Sequence, residues 1–381
     1  MERRDEAHEI EMLRATVRDF VRTHLRPLEQ EVDAADAIDP AVIGRLKQEA
    51  CKLGLYGYNM PVELGGPGLS VRARSAIDEE MGHTSMPLGQ ALGHLPGSLL
   101  FCTPAQREWL VAPLMRAETT IAYALTEPDA GSDVGAIRTR AVRADSGWIL
   151  NGSKQFISNA DTADHVVVLA ATAPREPIKA RLTTFIVKRG SPGLEFTHRF
   201  RKLGWRGYHL SAFSLQDCFV PDDHVLGQPG EGFAAIMATV NNDRLFVACR
   251  CVGIAQALMD LALPWAKERR TFGTRLGDHQ AIQFMLADSD VELEAARLLT
   301  VRAAELADAG SPGYRIAASR AKLYASEMAG RVADRVLQIF GGAGYMCDLP
   351  VERFFRDVRG FRIGEGTSEM QRIQIARALL A

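Results

Sequence analysis

The period of the hydrophobic pattern changes twice along the chain, and these two changes restrict the fold more than any other feature. From about Glu6 to Thr120 apolar residues recur at helical spacing, with Met12, Val17, Phe20, Val21 and Leu25 in one stripe and Val42, Leu46, Leu53 and Leu55 in another. The segment NMPVELGGPGLS is turn chemistry between helices. From Ile121 to about Gly230 the pattern becomes short β-branched and aromatic segments separated by turn residues: GWILNGSKQFISNA, HVVVLAATA, RLTTFIVKRG and HLSAFSLQDCFV. That pattern predicts a mostly antiparallel β region. Helical spacing returns after EGFAAIMATV and runs to Ala381, with long helices expected near 231–268, 278–308 and 313–340. The expected fold class is α+β, with a helical domain over 1–120, a β domain over 121–230 and a second helical domain over 231–381.

This order excludes a nicotinamide-binding Rossmann fold, which alternates strands with helices and opens on GxGxxG after its first strand. The one glycine-dense candidate, GGAGY at 341–345, follows a helical stretch. With 45 basic and 47 acidic residues interspersed, the chain carries a formal charge of -2, which is no footprint for nucleic acid. The N-terminus is charged and amphipathic, unlike a secretory signal, and no apolar run is expected to span a bilayer, so a soluble, cytoplasmic protein is expected. Cysteines at 51, 102, 218, 249, 251 and 347 form no CxxC pair and read as reduced core residues. The nine histidines show no metal-ligand spacing, so no metal is expected.

Two stretches point to chemistry. In RIGEGTSEM, Glu365 stands between two glycines, which allow a bend that displays the carboxylate. Thr367 and Ser368 read as a helix start, because Met370, Ile373, Ile375, Ala376, Leu379 and Leu380 then follow at helical spacing. In YALTEPDAGSD, residues 123–133, a strand breaks into a turn exposing backbone amides and hydroxyls, suited to an anionic or heterocyclic group.

These stretches, with GWILNGSKQFISNA, RRTFGTRLGDHQAIQ and QIFGGAGY, resemble the acyl-CoA dehydrogenase family in identity, order and spacing over essentially the whole chain. The resemblance implies a C-terminal four-helix bundle and an FAD enzyme that converts an acyl-CoA thioester to the 2,3-enoyl thioester. It implies that electrons pass to an electron-transfer flavoprotein and that the chain assembles as a homotetramer. It places Tyr123, Leu125, Thr126, Gly131 and Ser132 along the flavin, Ser132 also touching the CoA pyrophosphate region, with Phe156 and Ser158 against the isoalloxazine ring. Arg269, Thr271, Phe272 and Gln280, with Gln338, Gly341 and Gly342, match residues that hold the ADP half of FAD across a subunit contact. Thr367 and Glu369 match positions near the same cofactor, and Asn241 and Arg244 match positions that contact CoA.

The residues fit that chemistry on their own terms. Removing the α-proton of a thioester needs a base within hydrogen-bond reach, and a carboxylate gains basicity as water is stripped from it. Glu365 is the expected catalytic base; hydride loss from the β-carbon needs an acceptor that no side chain provides. Some relatives place the base on a helix immediately before an arginine, where this chain has Asp243 before Arg244, one methylene shorter than the usual Glu. Many relatives carry Tyr directly before the catalytic Glu, whereas this chain has Gly364; that loss is expected to enlarge the cavity near the α-carbon or to free the carboxylate to move. A flavin oxidase on the same fold, acyl groups borne on a carrier protein, and a non-catalytic nucleic-acid-associated relative are the alternatives.

Overall fold

The computed structural model describes residues 2–381. The first region is built on the helices Glu2–Phe20, Pro40–Lys52 and Val71–Met81 and on short helical turns ending at Met115. Val17, Phe20, Val21 and Leu25 are buried as one stripe. Met12 is not part of it, being 60% exposed. There the helix docks through charge: Arg14 reaches Glu79 and Glu80 at 2.9 and 3.1 Å, and Arg18 reaches Glu80 at 2.8 Å. Leu53 lies just past the end of Pro40–Lys52 and is exposed as well.

The second region is one sheet of strands β1 (Ile121–Ala124), β2 (Arg140–Ala144), β3 (Gly147–Ser158), β4 (His165–Ala171), β5 (Leu182–Lys188), β6 (Leu194–Arg199), β7 (Leu210–Pro221) and β8 (Val225–Leu226). They run in the order β6-β7-β3-β2-β4-β5-β8, with β1 beside β4. The β1–β4 and β2–β4 pairings are parallel and the rest antiparallel. Every residue of β4 is buried. Val166, Val168 and Ala170 pack with Trp148, Phe185 and Phe213, while Val167 turns the other way, toward Ile186, Leu226 and the N-terminal Leu110 and Leu114. Coverage of both faces is why this strand reads as an apolar run and not as an alternation.

The third region holds Gly232–Glu268, Gln280–Asp308 and Tyr314–Phe340, each ending where the sequence predicts and starting within two residues of it. Ser368–Leu380 packs on Tyr314–Phe340 to complete the bundle. Two expectations are corrected here. Gly232–Glu268 is long and apolar enough to cross a membrane by length and composition, yet 78% of its apolar window is buried inside the protein, as the central helix of a bundle requires. Cys102, Cys218, Cys249 and Cys251 are buried, but Cys51 is half-buried and Cys347 exposed, so the cysteines are not all core residues. The apolar residues of the last helix also fail to turn inward within the subunit, since Ile373, Leu379 and Leu380 are exposed.

The long central helix crosses Val71–Met81 where Gly253 meets Gly82. A Cβ on Gly253 would fall 1.8 Å from the Glu79 carbonyl oxygen. This approach sets the spacing between the two helices that carry Asp78 and Asp243. Gly253→Ala is therefore expected to cost about 1–3 kcal/mol by overpacking, read as a lowered thermal midpoint. An unchanged midpoint would show that the crossing has room to spare.

Candidate active site

The turn bearing Glu365 is built by the end of one helix and the start of the next. The amides of Ile363 and Gly364 donate to the Gly360 carbonyl at 3.0 and 2.9 Å, and the Ser368 amide donates to the Arg362 carbonyl at 3.0 Å. The Thr367 hydroxyl accepts from the Met370 amide at 3.2 Å and caps Ser368–Leu380, as predicted. The left-handed residues are Glu365 itself, at φ 52°, and Gly366, at φ 83°. A non-glycine residue in that region persists only where its surroundings impose it. Here Lys322 Nζ and Gln371 Nε2 both donate to the Gly366 carbonyl, at 2.7 and 2.9 Å. The Ser368 hydroxyl donates to Glu327 at 2.7 Å, and Arg362 pairs with the same carboxylate at 3.3 Å. Lys322 is fully buried, and burial pulls its ammonium down to about 8. Its role was readable only as a lysine set among the inward apolar positions of its helix, a signal the motifs do not carry.

Glu365 faces Asp243 of the central helix closely enough for each to act on the other's proton affinity. Glu365 is exposed to water on one side, while protein packs closely behind it. This enclosure, and then the like charge of Asp243, push the Glu365 carboxyl up to about 8, against the pull of His94 and Lys322. That upward push strengthens as bound groups displace water from the exposed side. Among the described residues the Glu365 amide donates to no protein acceptor. The space expected beside Gly364 is occupied by the Trp205 ring, which a Cβ on Gly364 would meet at 3.5 Å. The same ring stacks edge-on to Phe361 at 5.1 Å between centroids, so an indole from the β region fills part of the place left by the missing tyrosine.

The 123–133 turn is anchored by a residue the motif reading passed over. Glu127 is buried and accepts from the amides of Arg138 and Thr139 at 2.7 and 3.0 Å and from Lys154 Nζ at 2.7 Å. Lys154, fully buried on β3, also donates to the Leu125 carbonyl at 3.0 Å. The two partners differ. Burial draws Lys154 down to about 8. Burial also works against the Glu127 carboxylate, but Lys154 and the amide donors outweigh it and hold the carboxyl below its usual range. The Gln155 amide donates to the Thr126 carbonyl at 3.0 Å, tying the turn to the same strand. Between Lys154 and Ile157 the β3–β7 register slips, and Phe156 sits in this bulge at φ 57°. A bulge re-aims a side chain. Phe156 and Ser158 are consequently exposed on one side while Lys154 and Ile157 stay buried. Tyr123 and Leu125 are half-buried beside Thr126, and Gly131 and Ser132 are exposed at the tip.

A second group lies elsewhere. Gln338 stands near the end of Tyr314–Phe340, sixteen residues beyond Lys322 and hence roughly 24 Å along the helix from the Glu365 turn, and Gly341 and Gly342 follow just past the helix end. Trp265 stacks on Phe340 at 4.7 Å and Arg269 lies over Trp265 at 5.9 Å, bringing the 269–272 hairpin to this end. Arg269, Gln280, Gln338, Gly341 and Gly342 are exposed, and Phe272 is 98% exposed. One chain does not join this group to the first. Thr367 and Glu369 belong with the Glu365 turn, Glu369 pairing loosely with Arg372 at 3.6 Å. On the central helix Arg244 donates to Asn241 Oδ1 at 3.1 Å and its Nε is buried without a partner.

Three domain models of one family match the chain: the acyl-CoA dehydrogenase N-terminal domain over residues 7–118, its middle domain over 122–218 and its C-terminal domain over 230–380. The chain belongs to the acyl-CoA dehydrogenase family. It is 39% identical to the short-chain specific acyl-CoA dehydrogenase of Bos taurus mitochondria, over 97% of this chain and 90% of that one. It superposes on the butyryl-CoA dehydrogenase of Megasphaera elsdenii with a TM-score of 0.90 at 33% identity, covering 98% of both chains. A chain from a structure of the electron transferring flavoprotein of Acidaminococcus fermentans, concerned with flavin-based electron bifurcation, matches with a TM-score of 0.90 at 35% identity over 97% of each. The protein is thus an FAD-dependent oxidoreductase of this family. Its own residues fit the flavin: an aromatic face at Phe156 beside the Ser158 hydroxyl, a turn with free amides at 131–132, and a buried Tyr123 hydroxyl that has no protein partner.

Proposed function

We propose that the protein dehydrogenates a short-chain acyl-CoA between its α- and β-carbons, with Glu365 as the base, and hands the electrons to an electron-transfer flavoprotein. The observation that carries this reading is the Glu365 turn, which holds a solvent-facing carboxylate of raised proton affinity with its own amide free. The carboxylate takes the α-proton, and the free amide donates to the thioester oxygen as negative charge develops there. Bound FAD supplies the acceptor for the β-hydride. Thr126, Ser132, Phe156 and Ser158 orient the flavin on the β side, and Asn241 and Arg244 receive the CoA portion. The short-chain preference is supported by the short-chain and butyryl-CoA relatives and by the Trp205 ring beside Gly364. The choice of electron acceptor is supported by the Acidaminococcus match.

The test is anaerobic mixing with acyl-CoAs of graded length and branching while the flavin absorbance is followed. Rapid bleaching by short straight chains is expected; bleaching by none of them, or only by acyl groups on a carrier protein, would remove the substrate assignment. The distant group at Arg269, Phe272, Gln280 and Gln338 supports a homotetramer in which it holds the ADP half of a neighbouring subunit's FAD. Light scattering should find the FAD-loaded protein as a tetramer, and an FAD-loaded monomer would end that part of the proposal.

A further inference from the structure

Trp205 fills part of the place left by the absent tyrosine, and no polar contact of the indole itself keeps it there. Its Nε1–H is buried and meets no acceptor among the described residues. The place of the ring is set from the backbone. Trp205 lies in the left-handed region at φ 53°, which a large side chain keeps only where its surroundings impose it.

Two other regions of the chain impose it. From Val351–Gly360, the buried Asp357 accepts from the Trp205 amide at 2.5 Å, and Arg356 donates to the Leu203 carbonyl at 3.2 Å. From the N-terminal region, Asp36 accepts from Lys202 Nζ at 3.0 Å and from the Gly207 amide at 2.9 Å. Arg356 also pairs with Asp33 at 3.0 Å, which closes the clamp around residues 202–207. All three domains meet at this one loop of the β region.

The clamp lays the ring on bare backbone. A Cβ on Gly360 would fall 2.6 Å from Trp205 Cζ2, so only a glycine there lets the indole lie this close. The Cη2 edge of the same ring is 3.5 Å from where a Cβ on Gly364 would stand, directly before Glu365. Gly364 is outside the left-handed region, unlike Gly366, so its backbone would tolerate a side chain. A methyl group at 364 has room, and a ring extended from it toward the indole would collide with it. Trp205 and a large side chain at 364 thus compete for one space beside Glu365.

We propose that Trp205 determines the acyl specificity of the site: from the β region its indole takes the space that a side chain at 364 would take from the turn, and it excludes acyl groups branched at the reacting carbon. The inference rests on Glu365 being the base, because that places the α-carbon beside this turn. An indole offers an apolar wall, so removing it adds volume to the site and takes no charge from it.

The test compares butyryl-CoA with 2-methylbutyryl-CoA on the FAD-loaded enzyme by anaerobic flavin reduction. A calorimetric titration of the same pair in a Glu365→Gln background gives the ratio of Kd values without turnover. In Trp205→Ala the kcat/KM ratio of the branched over the straight thioester should rise roughly tenfold or more, the scale on which an apolar pocket discriminates by one methylene-sized group. Trp205→Phe keeps a ring beside Phe361 and should move the ratio the same way by about threefold, and it carries the test if the Ala variant does not fold. Gly364→Tyr alone should slow reduction by butyryl-CoA roughly tenfold or more, because two rings contest one space, and combining it with Trp205→Ala should bring the rate back to within about threefold of the parent. An unchanged ratio in both Trp205 variants, or effects at 205 and 364 that simply add, would overturn the assignment. If neither thioester reduces the flavin of the parent enzyme, it is the reading of the reaction that fails, and the Kd ratio still decides for or against Trp205.

Discussion

Replacing Glu365 with Gln is expected to slow flavin reduction by a good acyl-CoA by roughly 10²- to 10⁴-fold, the range attributed to a positioned general base. The amide keeps the size of the carboxylate, and the turn is held by Lys322, Gln371 and Glu327 through backbone atoms and neighbouring side chains, so FAD content and thermal midpoint should barely change. Anaerobic stopped-flow reduction is the measurement, and Asp243→Asn is its companion, expected to be the milder change. A dead Asn variant beside a near-normal Gln variant would move the base to the central helix. The pH profile adds an independent check. A base works as its anion, and Glu365 is pushed up to about 8 by its enclosure and by Asp243. For the free enzyme, kcat/KM should therefore rise with pH through an apparent pKa well above the ordinary carboxylate range and fall on the acid side. Because Asp243 is raised too, to about 7, the limb belongs to the pair and not to one residue. A flat profile down to pH 5 would contradict this account.

Lys154→Met is expected to cost about 3–5 kcal/mol, because it leaves the Glu127 carboxylate buried without its counter-ion. The effect should reach function as well. Glu127 is the node that joins the 123–133 turn to β3 and to the amides of Arg138 and Thr139, and the same turn presents Thr126 and Ser132. Loss of the node should loosen those flavin contacts, so the variant is expected to purify with less FAD as well as a lower melting temperature. Pairing Lys154→Met with Glu127→Gln should recover part of the stability, since an unpaired buried charge costs more than a neutral hydrogen-bonded amide. A single variant that keeps full FAD and melts like the parent would show that water reaches this pair.

Much of this molecule could be read directly from the chain. Gln280–Asp308 and Tyr314–Phe340 announce themselves because each has one face buried over many turns, and repetition of a 3.6-residue period is a strong signal, while Gly232–Glu268, buried nearly all round at its centre, shows as a long apolar run. The principal strands are visible because β-branched and aromatic runs are bounded by turn residues. The Thr367 cap and the bend at 364–366 are local events, decided by residues within a few positions of one another. The domain matches follow the same helical, β and helical order.

What the chain alone leaves open are the places where distant segments meet. Met12 keeps the helical spacing yet faces water, because Arg14 and Arg18 engage Glu79 and Glu80, some sixty residues away. Glu127 looks like a surface acid in a turn until Lys154 is placed against it by the fold of β3. Gly364 suggests an enlarged cavity, and only the approach of Trp205 from the β region fills part of it. Asp243 and Glu365 look like rival bases 122 positions apart in sequence, and packing of the bundle sets them side by side with His94 behind. Local sequence determines the period, the caps and the turns, because these depend on backbone angles and near neighbours. The proton affinity of Glu365 and the anchoring of its turn were decided only by the tertiary structure, because burial and charge act through space and take no account of distance along the chain.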